Sequence, residues 1–354
     1  MIQSEKELSQ WLPKLKDAAW IAVDTEADSL HAYPEKICLF QFSLPSGDYL
    51  IDPLAEIDLD PLWAALEART LIMHGADYDL RLMKRIYQFV PTSIFDTMLA
   101  ASMLGYKQLG LSNLVDLKLG RELEKSSQKA NWARRPLTEK MVAYAMNDTR
   151  YLQPLAHELA NELDVKGRLD WHEQWCLRLI ADCAKVSDPD PDLVWRIKGS
   201  RKLTRRALAV LRSIWHWREK QAIQANRPLF FILNHETLLK VSMAAAEGKN
   251  CDKLLPKKWP DTRKEEFLHE VQKGMEIPDA DLPKHPPREK RPRPSKEETE
   301  RFEKLQAHRD SVASQLEIDP TIIASKATLS SLAQNWEQNS QLLMPWQKQI
   351  LEKD

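Results

Sequence analysis

The sequence predicts an α/β domain built on a mixed sheet, followed by all-α helical modules. Three observations carry this prediction: short apolar strands cluster near the front, strands and helices alternate after them, and no strand pair is visible from residue 196 to 274. The first strand is residues 20–23, an apolar run that leads into Asp24-Thr25-Glu26. Residues 37–43 and 48–52 form the next two, and Pro45-Ser46-Gly47 between them reads as a hairpin turn, so the three front strands are antiparallel and adjacent. A helical pattern over 62–68 and an apolar strand over 70–74 follow. A helix over 78–89 then places Leu80, Met83, Ile86 and Tyr87 on one side. A brief strand lies near Ile94 and Phe95, and the pattern is mostly helical from Thr97.

The back of the chain divides by composition. Residues 196–274 read as several helices interrupted at Asn226-Arg227-Pro228; the first, over 201–224, carries Arg205, Arg206, Arg212, Arg218 and Lys220 around a seam of Leu208, Leu211, Ile214 and Trp215. Residues 276–296 hold six prolines among charges and almost no apolar mass, which makes them a linker. A last helical segment follows from Glu297. The expected divisions are a sheet-bearing domain over 1–192, a helical domain over 201–275, the linker over 276–296 and a second helical domain over 297–354; the two helical segments could be diverged copies of one unit, but no strict repeat is visible.

Charge is split in the same sense. Residues 1–192 hold 21 Lys+Arg against 30 Asp+Glu and the remainder 30 against 22, within a net of -1. An acidic front and a basic back suit a metal-charged catalytic domain joined to one that meets a polyanion, as solvated helix faces also would. No window approaches the roughly 18 consecutive apolar residues of a membrane helix, and the N-terminus has no signal-peptide pattern, so a cytoplasmic protein with no membrane partner is expected. Cys38, Cys176, Cys183 and Cys251 show no metal or disulfide spacing and are expected as buried free thiols.

Three short segments can do chemistry. Asp24 and Glu26, two apart at the end of a strand, project from one face and emerge at a sheet edge. His74-Gly75-Ala76-Asp77-Tyr78-Asp79 takes a strand through a small-residue turn into a helix, and either Asp77 or Asp79 could face a cleft or simply cap that helix. Tyr144 and Asp148, four apart on a helix that starts at Thr138, share a face. Each alone has an ordinary structural explanation. Together, four carboxylates in one cleft repel each other and need cations; oxygen-only ligands favour two magnesium or manganese ions, whose chemistry is phosphodiester hydrolysis.

At these motifs the sequence resembles a known family. V-D-T-E at 23–26, H-G-A-D-Y-D-L at 74–80 and Y-A-M-N-D at 144–148 resemble the three exonuclease motifs of the DEDD superfamily, in its tyrosine variant. I-D-P-L at 51–54, F-D-T at 95–97 and N-W-A-R-R-P-L at 131–137 narrow the resemblance to ribonuclease D, over essentially the whole chain. The resemblance implies a ribonuclease H-like (DnaQ-like) fold, with HRDC modules at 201–275 and, more diverged, from Glu297. It implies a 3′ to 5′ exoribonuclease that releases nucleoside 5′-monophosphates from single-stranded RNA 3′ ends, with transfer RNA precursors the expected class and no small-molecule cofactor. It gives the metal-ligand places to Asp24, Glu26, Asp79 and Asp148, chooses Asp79 over Asp77, and makes Tyr144 the residue that orients the attacking water.

Substrate grip is read from residue types. His74 and Trp132 are candidates for base stacking, Arg134 and Arg135 for phosphate contact, and the basic helix over 201–220 for backbone contact with RNA. Two rivals stand beside the exoribonuclease: a 3′ exonuclease acting on DNA, and a non-catalytic nucleic-acid adaptor. The intact set of acids speaks against the adaptor, because a binder of polyanions gains nothing from a concentrated negative cleft.

Overall fold

The computed structural model describes residues 1–124, 126–185, 190–286 and 293–352. Part of the expected linker, residues 287–292, and the end of the first expected domain, residues 186–189, lie outside the described residues. The chain packs as two units: Met1–Ala27, Ile37–Val186 and Arg291–Asp354 form one, Asp28–Lys36 and Ser187–Lys290 the other.

The first unit is built on a five-stranded mixed sheet of β1 (Ile21–Ala27), β2 (Ile37–Leu44), β3 (Gly47–Ile51), β4 (Thr70–Met73) and β5 (Ser93–Asp96), in the order β3-β2-β1-β4-β5. β1, β2 and β3 are antiparallel neighbours, as the hairpin signal predicts, while β4 runs parallel to β1 and β5 parallel to β4. β2 is buried along its whole length, which its nearly unbroken apolar run requires of a strand covered on both faces.

On one face Ile21, Val23, Phe40 and Phe42 pack with α1 (Glu5–Lys16), α2 (Asp60–Leu66) and α3 (Asp77–Tyr87). Helix α1, not anticipated from the sequence, is capped by the Ser4 hydroxyl on the Glu7 amide; its Trp11 meets Phe42 edge-on at 5.3 Å. On the opposite face Ala22 and Ile72 pack with Leu152 and Ala156. Helices α4 (Thr97–Leu104), α5 (Leu111–Leu119), α6 (Glu139–Arg150), α7 (Leu152–Val165) and α8 (Leu169–Ala184) complete this part of the unit.

The second unit contains α9 (Arg205–Ala225), α10 (Leu229–Ile232), α11 (His235–Ala246) and α12 (Asp261–Glu276). Three of the arginines expected to meet RNA have structural partners. Arg205 donates to the Leu282 carbonyl at 2.8 Å, Arg206 to the carbonyls of Met275 and Ile277 and to Asp279, and Arg218, wholly buried, to the Leu233 carbonyl at 3.1 Å. A buried guanidinium needs acceptors; the Leu233 carbonyl serves one nitrogen of Arg218, and its Nε and Nη2 have no hydrogen-bond partner among the described residues.

Residues from Lys296 form α13 (Lys296–Leu316), α14 (Pro320–Ile323), α15 (Lys326–Gln334), α16 (Trp336–Asn339) and α17 (Pro345–Leu351). The sequence sets 297–354 apart, whereas in packing these helices share a core with the sheet-bearing unit: Ala313, Ile323, Leu329 and Trp346 pack with Ala100, Met103, Leu114, Leu155 and Leu159. Trp346 stacks on Trp171 at 4.7 Å, and Arg168 bridges the carbonyls of Met103 and Leu316 at 2.7 and 2.8 Å. Gly105, at φ 88°, closes α4 where a Cβ would collide with the Glu317 carbonyl.

A repeat hidden in the sequence is visible in the backbone. A constant offset of 91 residues relates the hydroxyl N-caps Thr204 and Ser295, the buried arginines Arg218 and Arg309, the left-handed C-caps Asn226 and Glu317, the acceptor carbonyls of Leu233 and Ala324, and the N-caps Asn234 and Ser325. Both long helices have 21 residues and both are followed by a helix of 4. The likeness rests on caps and one arginine–carbonyl bond, which few residue identities betray.

Candidate active site

The site forms where β1 loses a neighbour. Its pairing with β4 ends at Ala22 opposite Ile72, while pairing with β2 continues through Glu26 opposite Leu39 and becomes irregular only at Ala27. Asp24 and Glu26 therefore sit inside the third strand of five, not beyond a strand end at the sheet edge. The alternation of side chains sets both on the Ala22 face, the face covered by α6 and α7, and turns Thr25 to the other.

β4 ends at Met73, and Gly75, at φ 67°, turns the chain into α3. Asp96 holds that turn. Its carboxylate accepts from the amides of Gly75 and Ala76 at 2.9 and 2.8 Å, and also caps α4 through Met98 and Leu99 at 2.8 and 3.2 Å. Asp79, in the first turn of α3, is buried and accepts the Thr25 hydroxyl. Asp77 is exposed and bound by Arg81 of the next turn, Nη2 to Oδ1 at 2.9 Å.

Helix α6 starts at the Thr138 cap and is pinned at its far end, where Ser43 donates to the Thr149 hydroxyl at 2.8 Å and Arg150 to Asp48 at 2.7 Å. That anchoring fixes Asp148 and Tyr144, one turn apart. Asp24, Glu26 and Asp148 then offer carboxylate oxygens that all lie within 4.8 Å of one another. Asp79 is not in that group, but its charge acts on both Asp24 and Glu26.

Burial, then mutual repulsion, makes ionisation difficult. Burial first and the charges of Asp148 and Asp79 second push Glu26 up to about 9. Burial raises Asp148 to about 7 and Asp79 to about 6, and Asp24 stands well above the usual carboxylate range for the same reason, reinforced by Asp79, Asp148 and Glu26. Tyr144 is also pushed up, by burial and by Asp148, Glu26 and Asp24, so its hydroxyl stays neutral. None of the ion pairs among the described residues involves these acids. A compact set of carboxylate oxygens without a protein cation is a donor set that fits a hard divalent metal.

The expected substrate residues fare differently. His74 is half-buried, with Nδ1 at 2.9 Å from the Thr97 hydroxyl. Trp132 is 1% exposed and packs near Tyr144, ring centroids 6.0 Å apart, so its ring presents no free face to a base. Arg135 is bound to Asp52, Nε to Oδ2 at 2.6 Å, and to the carbonyls of Cys38 and Trp132, both at 2.7 Å, which ties its loop to the sheet and leaves no fork for phosphate. Arg134 is exposed.

Sequence reasoning missed two residues of this neighbourhood. Asp96 lies within the F-D-T block, but nothing local shows that it caps two elements. Gln41 is wholly buried opposite Asp24, inside a strand that reads as apolar.

Comparison with known proteins bears directly on this geometry. A family model described as 3′-5′ exonuclease matches residues 1–164, and one described as HRDC domain matches 207–250. The chain is 31% identical to the ribonuclease D of a Jannaschia species over 80% of this chain and 76% of that protein. The chain belongs to the ribonuclease D family.

The ribonuclease D of Gluconacetobacter diazotrophicus is 29% identical over 99% of this chain and 90% of its own. In structure, the RNase D of Escherichia coli, described as an exoribonuclease involved in structured RNA processing, superposes with a TM-score of 0.73 at 26% identity, covering 98% of this chain and 91% of that one. As a member of the ribonuclease D family the protein is a 3′–5′ exoribonuclease, with a ribonuclease H-like exonuclease domain followed by an HRDC helical region. Among the described residues no helix is long and apolar enough to cross a membrane.

Proposed function

We propose that this ribonuclease D family member hydrolyses RNA from its 3′ end by a two-metal mechanism and trims transfer RNA precursors in the cytoplasm, releasing nucleoside 5′-monophosphates. The observation that carries the reading is the meeting of Asp24, Glu26 and Asp148 within 4.8 Å, with Asp79 tethered beside them through Thr25. Asp24, Glu26, Asp79 and Asp148 would hold two magnesium or manganese ions. Ions bound there supply Lewis acidity and lower the pKa of water.

The other roles follow from the side chains themselves. A neutral Tyr144 hydroxyl is a poor base and serves to orient the attacking water, in reach of the Asp148 face of the same helix. Arg134 is the arginine of its loop available to a phosphate, and His74 borders the turn that leads to Asp79. We assign residues 297–354 to a second HRDC-like module, on the 91-residue correspondence with the first.

Digestion of 3′-labelled and 5′-labelled RNA, with and without magnesium, tests polarity and metal dependence together. The expected result is immediate release of 3′ label as mononucleotide and only with the metal; release from the 5′ label first, or equal release in chelator, rejects the reading. A matched DNA strand degraded much faster than RNA would transfer the activity to DNA.

A further inference from the structure

Within the C-terminal helices of the first unit, α13, α15, α16 and α17 line a pocket of about 530 Å³ that is open to solvent. That volume lies in the range of small-ligand sites, roughly 300 to 1,000 Å³. None of the acids of the candidate active site lines it. Its walls have two characters. Leu332 and Leu351, both buried, and the half-buried ring of Trp336 make one apolar side. Arg301, Lys304 and His308, spaced along one face of α13, make the other.

The polar side is set up for an anion. Arg301 is anchored by Nε, which donates to the Ala333 carbonyl at 2.7 Å, and keeps its two terminal amino groups for another acceptor. Lys304 is exposed and enters no hydrogen bond or ion pair among the described residues. His308 Nε2 donates to the Ile350 carbonyl at 2.9 Å, which leaves Nδ1 as an acceptor when the ring is neutral. Among the described residues the acid at the rim is Glu352, and it is paired with Lys348 at 3.4 Å.

An aromatic wall beside two cations and a ring nitrogen acceptor fits a ligand that is planar and apolar at one end and anionic at the other. An aliphatic chain would leave the cations unmatched, and an inorganic anion would leave the Trp336 side unfilled. We propose that this pocket binds one nucleotide unit, with its base against Trp336, its phosphate at Lys304 and Arg301, and a sugar hydroxyl or base amino group donating to His308 Nδ1. The unit is either a free nucleoside monophosphate or a nucleotide splayed out of an RNA chain; the recognition chemistry is the same. The site goes beyond the exonuclease reading and does not depend on metal at the carboxylates.

Photolabelling of the full chain with 8-azido-AMP in chelator, followed by peptide mapping, tests this without hydrolysis. Label is expected on a peptide containing Trp336, and Lys304→Glu, at an exposed position, should cut it about tenfold with an unchanged melting temperature. Hydrolysis of a short RNA by the same variant should be unaltered, so that the two sites are read separately. Competition then identifies the source: a hydrolysis-resistant RNA oligomer displacing label far better than AMP points to a nucleotide within RNA, and AMP at least as good points to the free nucleotide. Label confined to peptides containing Asp24 or Asp148, equal labelling of Lys304→Glu, or no labelling of the wild-type chain overturns the proposal.

Discussion

Asp24 and Gln41 stand opposite one another in the ladder between β1 and β2, and among the described residues the fully buried Gln41 amide has no hydrogen-bond partner. Residues directly opposite in an antiparallel pair share a face, so the amide lies beside the carboxylate cluster. A buried amide without a partner costs about 1–3 kcal/mol. Gln41→Leu should therefore melt no lower than wild type, and hydrolysis should fall because the strand opposite Asp24 loses a buried polar group beside the carboxylates. Thermal melts and turnover measured on the same preparation check this; a clear loss of stability would show that the amide is bonded in solution.

Asp148→Asn removes one of three carboxylates that crowd within 4.8 Å. In chelator the variant should melt at or above the wild-type temperature, since burial and mutual repulsion oppose the charged forms. Magnesium should no longer raise its melting temperature, and hydrolysis should drop by more than about 10²-fold. Differential scanning calorimetry with and without magnesium measures the first two effects.

Tyr144→Phe keeps the ring that packs near Trp132 and removes only the hydroxyl. The expected result is an unchanged melting temperature and a fall of about 10²-fold in kcat, the scale of a misplaced reactant. An unchanged kcat would take the hydroxyl out of the mechanism.

Asp96→Ala strips four amides of their acceptor at once, two in the turn before α3 and two at the start of α4. A loss of about 2–4 kcal/mol is expected from caps and charge-assisted bonds of this kind. Hydrolysis should fall further than stability explains, because the turn that aims Asp79 loosens; Asp96→Asn, which keeps an acceptor oxygen, should recover part of both.

Asp52 gives a pH signature. Burial raises its pKa, but the hydrogen bonds from Arg135 and Gln3 outweigh burial and hold it below the ordinary value. The folded state then binds fewer protons than the unfolded one near that value, so the stabilisation is full above the unfolded pKa of about 3.9 and fades as pH falls through the folded one. Arg135→Ala should cost about 2–4 kcal/mol at pH 7, less at pH 3, with a residue of the loss persisting from the carbonyls that Arg135 also holds. Denaturant titrations at the two pH values check the difference.

Much of the site is legible in the order of residues because strand parity and helical spacing are local. Asp24 with Glu26, and Tyr144 with Asp148, share faces for that reason alone, and the turn at Pro45 to Gly47 sets the front hairpin. Other features depend on what a distant segment brings. Thr25 meets Asp79 only because β4 stops at Met73; Arg135 is taken by Asp52 of another segment; Trp132 is buried by the helix that carries Tyr144. Helix α1 has its Ser4 cap and acidic first turn in plain view, but its pattern also suits an exposed amphipathic end. Arg205 and Arg206 read as a free basic surface since the carbonyls that hold them lie some seventy positions away along the chain.

The interdigitation of Gly105 with the Glu317 carbonyl, and of Ala100, Met103 and Leu159 with Ile323 and Leu329, makes the tail a structural organ of the catalyst rather than an appendage. Cutting the chain ahead of Lys296 to obtain a minimal nuclease would bare a sticky oily surface on α4 and α7. The shortened enzyme would clump or soften even though every residue of its reaction centre had been kept.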